Sequence, residues 1–362
     1  MAQTVELPVA RSVAEARRYA RGARWLRIAA ASAFLIGAVV TGTLVGPVDI
    51  GAGAVVRSIG SHIPLLGIHS PLSSAQDAIV WELRLPRVVL GLLVGGMLAA
   101  AGATYQGVFR NPLVDPYLLG VAAGAGLGAT LEIVSARGYA YGGDLLPLAA
   151  FAGGVCAVVL TYTIGRAATG GRGSAALVLA GVTVTAFLTA IQTFVQQQHS
   201  DTLPAVYSWI LGSLDTAGWH DVLLLLPYAG VSTVILLLHR RVLDVLSLGD
   251  EEAASLGVNV GRVRLVLVAG ATLGTAGAVA VSGLIGFLGI IVPHFVRLVA
   301  GSSYRVVVPL SLVVGGGFLV FTDVLARTIV SPAELPIGVV TAFFGAPFFA
   351  LALRASRYGT AS

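Results

Sequence analysis

Three consecutive acids, Asp250–Glu251–Glu252, stand between two long apolar stretches of a chain with only 17 acids in 362 residues. The local sequence runs from Ser247 to Arg264 as SLGDEEAASLGVNVGRVR. It reads as one short amphipathic helix, a turn at 257–259 and a return into apolar sequence. Acids in a first helical turn suit the positive end of the helix dipole. Leu256 and Val258 supply a small apolar face, and Gly257 supplies a stop. This pattern suits grip rather than bond-breaking: a rigid, charged handle that a soluble partner can hold. Gly249, Asp250, Glu251, Glu252, Ala253, Leu256 and Gly257 are the candidate coupling residues.

The remaining reactive side chains argue against catalysis. The 22 basic residues are all arginine, so a P-loop lysine or a Schiff-base lysine is excluded. His62, His69, His199, His220, His239 and His294 are scattered, and none falls into a metal-binding spacing. Cys156 is alone in an apolar run, which rules out an intrachain disulfide or a cysteine metal cluster. No metal site and no cofactor is expected in this chain. One polar stripe stands out: Gln192, Gln196 and His199 share a helical face, with Gln197 and Gln198 beside them. It reads equally as pathway lining and as a water-facing interface.

The elements that position these residues are membrane spans. Charged residues make up 11% of the chain, against about 25% in ordinary globular domains. Glycine accounts for 46 residues, and mean hydropathy is +0.90. A span needs about 20 apolar residues to cross about 30 Å of hydrocarbon. Charge-poor runs give 28–48, 88–109, 116–136, 145–165, 173–200, 222–239, 306–326 and 335–353. The run 265–296 would extend about 48 Å as a helix, too long for one crossing, and it divides near Ser282–Gly283. The expected architecture is an all-α, polytopic bundle of ten transmembrane helices. Residues 1–27 form a basic cytoplasmic segment, 28–356 the membrane domain and 357–362 a tail. Small-residue spacings, Gly91/Gly95, Gly120/Gly124/Gly128, Gly270/Gly274 and Gly315–Gly317, suit close helix packing in lipid.

Arginine distribution orients the bundle. Seventeen of the 22 arginines fall on the side of the N-terminus, which makes both termini and the acidic handle cytoplasmic. Arg57, Arg84, Arg87, Arg137 and Arg327 remain on the outer side. Arg84 and Arg87 are three apart, on one helical face at the outer mouth of the second span. Snorkelling accounts for many arginines at span ends, but outer positive charge runs against the usual bias and favours a role. Asp323, four residues before Arg327, is spaced to orient it. Pro293 kinks its span, and His294 reads as satisfying the freed backbone groups rather than as a ligand. Glu334 and Pro336 suit the opening of the last span.

Four passages together resemble a known family. They are 83–87 (LRLPR), 106–120 (QGVFRNPLVDPYLLG), 282–297 (SGLIGFLGIIVPHFVR) and 333–347 (AELPIGVVTAFFGAP). With the handle at 247–264, they closely resemble the membrane permeases of bacterial ABC importers for iron-siderophores, haem and vitamin B12, from about residue 28 to 356. The resemblance implies a multi-pass subunit of the bacterial cytoplasmic membrane, bathed in lipid, that carries its substrate intact by alternating access. It implies a second permease subunit, a copy or a paralogue, and two ATPase subunits that use ATP and Mg. It also implies an extracytoplasmic substrate-binding protein, whose acidic lobes would dock on Arg84, Arg87 and Arg327. No nucleic-acid partner is expected. An iron chelate or haem is the expected cargo, with cobalamin as the alternative. An ion-coupled secondary transporter is the competing class, but it would need ionisable groups near the midplane, whereas Glu132 and Asp323 lie near span ends.

Overall fold

The computed structural model describes residues 8–62, 69–135, 145–169 and 174–359, with side chains omitted for 8–25, 169, 174 and 351–359. Every regular element among the described residues is helical. The first described helix is α1 (Pro8–Leu44), followed by the short helix α2 (Ala52–Ser61). Next comes α3 (Ser74–Ala78), started by a capping box in which Gln76 N–H donates to Ser73 Oγ at 3.3 Å and Ser73 N–H to Gln76 Oε1 at 3.2 Å. A π-helical turn (Ile79–Arg84) joins it to α4 (Leu85–Phe109). Then follow α5 (Val121–Ser135), α6 (Leu145–Thr169), α7 (Ser174–Gln198) and α8 (Leu203–Ile210). The set continues with α9 (Trp219–Leu246), α10 (Asp250–Ser255), α11 (Val260–Ser282), α12 (Leu288–Ala300), α13 (Tyr304–Thr328) and α14 (Ile337–Gly359).

Seven of these stretches are long and apolar enough to cross a membrane: Leu26–Leu44, Ser74–Phe109, Leu145–Ala168, Ala175–Gln198, Trp219–Leu246, Val260–Ser282 and Tyr304–Thr328. Three shorter apolar helices, Val121–Ser135, Leu288–Ala300 and Ile337–Ala350, fall where the other three expected spans lie. The division of the charge-free run is found at the expected place, where α11 ends at Ser282 and Gly283 adopts φ +66. Two boundaries differ from the charge-gap reading. Helix α1 starts 18 residues before the apolar stretch Leu26–Leu44, and α9 runs on through His239, Arg240 and Arg241. Long basic side chains can leave the apolar zone while the backbone stays helical, so a charge marks the lipid boundary without marking a helix end.

Helix α4 is the core of the bundle. Leu90, Val94, Leu98, Ala99, Ala100, Ala101, Ala103 and Tyr105 are all buried, and α9, α11, α12 and α13 pack around it. Small residues set the spacing, as expected. A Cβ on Gly95 would collide with the backbone of Gly315, and one on Gly124 with that of Gly153. Tyr105 Oη and Thr272 Oγ1, 2.7 Å apart, join α4 to α11. Ser232 Oγ donates to Gly270 O at 2.8 Å, joining α9 to α11.

Helices α5 and α12 are about 22 and 20 Å long at 1.5 Å per residue, too short to cross alone. Irregular backbone, 111–120 and 283–287, completes each path, and its polar groups are satisfied by side chains and neighbouring backbone. Tyr117 Oη donates to Ile285 O and accepts from Ile285 N–H, both at 3.0 Å. Gln106 Nε2 donates to Gly289 O at 2.9 Å and to Val114 O at 3.2 Å. Thr161 Oγ1 donates to Leu119 O at 3.0 Å, and Ser213 N–H to Ser282 O at 2.9 Å.

The α4–α13 contact gives a direct test. Gly95→Val should separate the two helices and lower stability by about 1–3 kcal/mol or more, the range for overpacking. Gly53→Ala, with nothing within 4 Å of the added carbon, should stay within about 0.5 kcal/mol. Thermal unfolding of both variants in detergent measures the contrast.

Candidate coupling and docking sites

The handle folds as the sequence indicates. Helix α10 is one short stretch between two glycines that only glycine suits: Gly249 at φ +143 and Gly257 at φ +81. Ala253 is fully buried against the bundle, and its N–H donates to Gly249 O at 3.0 Å. Val258 N–H closes the far end on Ala253 O at 3.0 Å, and Gly257 N–H bonds Ala254 O at 2.9 Å. Asn259 Oδ1 then accepts from Arg262 N–H at 3.0 Å and starts α11. What faces outward is Leu248 (63% exposed), Glu251, Glu252 and Leu256 (64% exposed). Two exposed leucines flank two exposed acids, giving a surface that mixes apolar and acidic groups. Val258, expected beside Leu256, instead packs partly against the core.

Asp250 turns the other way. Its carboxylate accepts two hydrogen bonds from Arg264 Nη2, at 3.0 and 2.9 Å, and lies 3.4 Å from Arg110 Nη2. Arg110 ends α4 in a left-handed conformation (φ 52). The turn after it is built from two side-chain caps: Asn111 Oδ1 accepts from Leu113 N–H at 2.9 Å and Asp115 Oδ1 from Tyr117 N–H at 2.8 Å.

At the opposite end of the bundle lies a buried cluster of ions. Asp323, 2% exposed, accepts from Arg87 Nε at 3.0 Å and Arg87 Nη2 at 2.7 Å, and lies 3.5 Å from Arg327 Nε. Arg87 also makes a two-pronged pair with Glu334, Nη1 to Oε1 at 3.1 Å and Nη2 to Oε2 at 2.7 Å. Arg327 Nη2 donates to Gly42 O at 2.6 Å. Arg84 donates to Thr43 O at 3.1 Å, to Leu44 O at 3.0 Å and to Val48 O. These last carbonyls are the open end of α1 and the turn after it, so Arg84 caps a helix C-terminus.

The geometry corrects the picture of three exposed outer arginines. Arg84 and Arg327 are 4% and 3% exposed, with their guanidinium groups turned onto internal carbonyls and Asp323. The sequence placed them at an outer mouth, but a buried carboxylate and a frayed helix end took them inward. Arg87 is nearer the surface, with Glu334 beside it at 30% side-chain exposure. Asp323 does orient Arg327, as its spacing suggested, but it holds Arg87 more closely. Glu334, read as a helix-start residue, is the second partner of Arg87. Arg137 lies outside the described residues.

The polar stripe of α7 divides. Gln192 is 8% exposed and donates to Thr130 Oγ1 at 3.1 Å, so it is a contact to α5 rather than part of an open wall. Gln196 and His199 are half-buried, and His199 Nδ1 lies 3.1 Å from Val195 O. His294 meets Phe348 edge-on, with ring centroids 5.8 Å apart, in place of the expected backbone contact. An apolar recess of about 470 Å3 lies elsewhere, between the end of α8, the 283–287 break and the start of α14. Leu211, Leu284, Gly338 and Phe343 are among its lining. Ile337 N–H to Gly212 O and Gly338 N–H to Leu211 O, both 3.0 Å, seal one edge. The sequence carried its signal only as an over-long charge-free run with glycine at 283 and 286. Among the described residues, no group of three or more potential metal ligands is found.

Residues 33–355 match the FecCD transport family. The cobalamin import system permease protein BtuC of Halobacterium salinarum is 43% identical over 279 residues, 77% of this chain and 74% of that protein. The hemin transport system permease protein HmuU of Yersinia pestis is 39% identical over 289 residues, covering 76% and 84%. Among solved structures, a metal-chelate type ABC transporter in an inward-facing conformation superposes with a TM-score of 0.78 at 28% identity, covering 90% of this chain and 98% of that one.

The outer cluster predicts unequal costs. Asp323→Ala leaves two cations without their buried carboxylate and should lower stability by about 3–5 kcal/mol. Glu334→Gln removes a partly exposed partner and should cost about 0–1 kcal/mol. Unfolding midpoints in detergent, read by tryptophan fluorescence, check the ordering.

Proposed function

This chain belongs to the FecCD transport family, and from that premise we propose how it works as the permease subunit of an ABC importer. The single observation that carries the reading is the handle: a short helix with two bare leucines and two outward acids, fixed to the bundle by a buried alanine and two glycine turns. Nothing in a stand-alone carrier requires such a projection. Two soluble ATPases would hold it, one on each of two permease subunits, and ATP with Mg would be bound there rather than here.

The handle lies at the bundle end that also carries Arg110, Arg262, Arg264 and Arg305, which the charge bias assigns to the cytoplasm. The buried ion cluster then faces outward. An external binding protein would dock over Arg87 and Glu334, with Arg84 and Arg327 acting from below to hold that surface in place. The exposed aromatic face of α14, Phe343 and Phe344 at 75% and 48%, together with the recess, would face a second permease across a shared pathway. Gln196 and His199 remain candidates for its outer part. Apolar lining suits a bulky chelate that passes intact and binds weakly. The cobalamin, hemin and metal-chelate transporters it resembles all carry such ligands, and an iron chelate or haem is the substrate class we assign, with cobalamin as the second reading.

The test is reconstitution of the chain with its ATPase and binding protein in liposomes. Uptake should require hydrolysable ATP and survive collapse of the proton gradient. Uptake that persisted without ATP hydrolysis, and failed with the gradient, would reverse the assignment. Comparing ferric siderophore, haem and cobalamin in the same vesicles ranks the substrates. Within that system, Leu256→Arg should leave the chain in the membrane but lower ATPase co-purification at least about tenfold, the effect of about 1.4 kcal/mol. Full association of this variant would show that the handle is not the gripping surface.

A further inference from the structure

We propose that Asp250 is the coupling strut of this permease, a positioning residue that turns displacement of the handle into simultaneous movement of α4 and α11. The inference rests on the reading of α10 as the ATPase handle and concerns what lies behind it.

Three observations converge on Asp250. It is the first residue of α10, so it moves with the handle. Its carboxylate holds Arg264 at 2.9 and 3.0 Å and Arg110 at 3.4 Å. These two cations belong to different helices, whose chain segments lead in different directions. Arg264 is on the first turns of α11, with a side chain 7% exposed. Among the described residues, Asp250 is its ion-pair partner, so its charge is satisfied only while the handle stays docked. A buried charge that loses its partner is costly, and this makes the contact stiff rather than incidental.

Arg110 carries the other arm. It is the left-handed residue at the end of α4, immediately before the irregular 111–120 segment. That segment is bonded to the second irregular stretch, because Tyr117 Oη holds both polar groups of Ile285. Next to it, Gln106 of α4 holds Val114 O of the segment and Gly289 O in the first turn of α12. A pull on Arg110 therefore reaches the 283–287 break, which borders the recess, without passing through a regular helix. A pull on Arg264 reaches the same break from the other side, along α11 to Ser282. The two arms close a loop, with Asp250 at one corner and the recess at the opposite one. Irregular backbone held by single side chains is where a packed helical bundle can rearrange between discrete states.

The outward half of the handle is separate chemistry. Glu251, Leu248 and Leu256 point away from the bundle and are free for a partner, whereas Asp250 is engaged inward. Grip and transmission therefore fall on different residues and can be separated by substitution.

The experiment uses the full permease with its ATPase and binding protein in liposomes, and reads substrate molecules imported per ATP hydrolysed. Asp250→Asn keeps an oxygen acceptor for Arg264 but removes the charge. The expected result is retained ATPase co-purification with a coupling ratio lowered at least about five-fold, the lower end of site-to-site coupling free energies. Arg110→Gln should lower the ratio in the same direction, and the double variant should be no worse than Asp250→Asn, because both act on one strut. Asp250→Glu, which restores the charge, should recover part of the ratio. A merely structural role would lower the unfolding temperature and leave the ratio alone. An unchanged ratio in Asp250→Asn overturns the proposal. Loss of ATPase co-purification in Asp250→Asn also overturns it, by making Asp250 part of the grip. Leu256→Arg, run in parallel, separates the two readings: if it keeps its ATPase, the handle assignment fails, whatever Asp250 does.

Discussion

Every polar backbone group within lipid must find its partner inside the chain, and most features of this fold follow from that requirement. Long helices meet it unaided. Two stretches that are not helical, 111–120 and 283–287, meet it through side chains: Tyr117 satisfies Ile285, and Gln106 of α4 satisfies Val114, as well as Gly289 in the first turn of α12. Helix ends face the same demand. The last carbonyls of α1 have no partners in their own helix, and Arg84, at the end of the π-helical turn before α4, supplies them. The counterpart at the other end of the bundle is Arg27 Nη1, which donates to Ala300 O at 3.1 Å at the end of α12. In both cases a cation completes a helix C-terminus, where the dipole favours positive charge.

The same requirement explains why part of the site was legible in the sequence and part was not. The handle could be read because all its determinants are local: acids at one end, glycine at the other, a small residue to seat it. The break at Ser282–Gly283 was legible because a length argument forces it. The sequence suggested Arg84, Arg87 and Arg327 as a docking set, but it did not show that Arg84 and Arg327 are buried. Apart from Asp323, four residues before Arg327, their partners lie 36 to 285 positions away in sequence, from Val48 to Gly42, and no spacing rule predicts such contacts. Gln192 could not be placed for a related reason. A polar stripe on one helix face shows that the face is not lipid-exposed, but it does not say whether water or another helix covers it, and here Thr130 of α5 does.

Glycine separates the rigid part of the molecule from the part that can shift. In α4 and α13 it permits backbone contact, so Gly95 lies against Gly315 with no side chain between them. Such contacts tolerate little sliding, since interiors packed at crystal-like density respond to displacement by jumping rather than by yielding. At 249 and 257 glycine does the opposite work. It takes conformations other residues avoid and frames a helix too short to be stable alone. In the proposed coupling, the rigid helices carry load and the glycine-framed handle receives it.

Charge completes the division between the two ends. At the outer end, Arg87, Asp323, Arg327 and Glu334 form a closed network in which the cations have partners nearly matched in number, buried deeply enough to hold α4, α13 and the start of α14 together. At the handle end the balance is open. Asp250 alone answers two arginines, one of them buried, while Glu251 and the flanking leucines are left for another surface. An ion network with matched partners resists change, because any rearrangement exposes an unpaired charge to the interior. A single carboxylate shared between two helices does not resist in this way: moving it shifts both cations at once. The ion-cluster end is therefore held as an anchor and the handle end as a joint, which is the arrangement the proposed coupling needs if force is to arrive at one end of the bundle and a path open at the other.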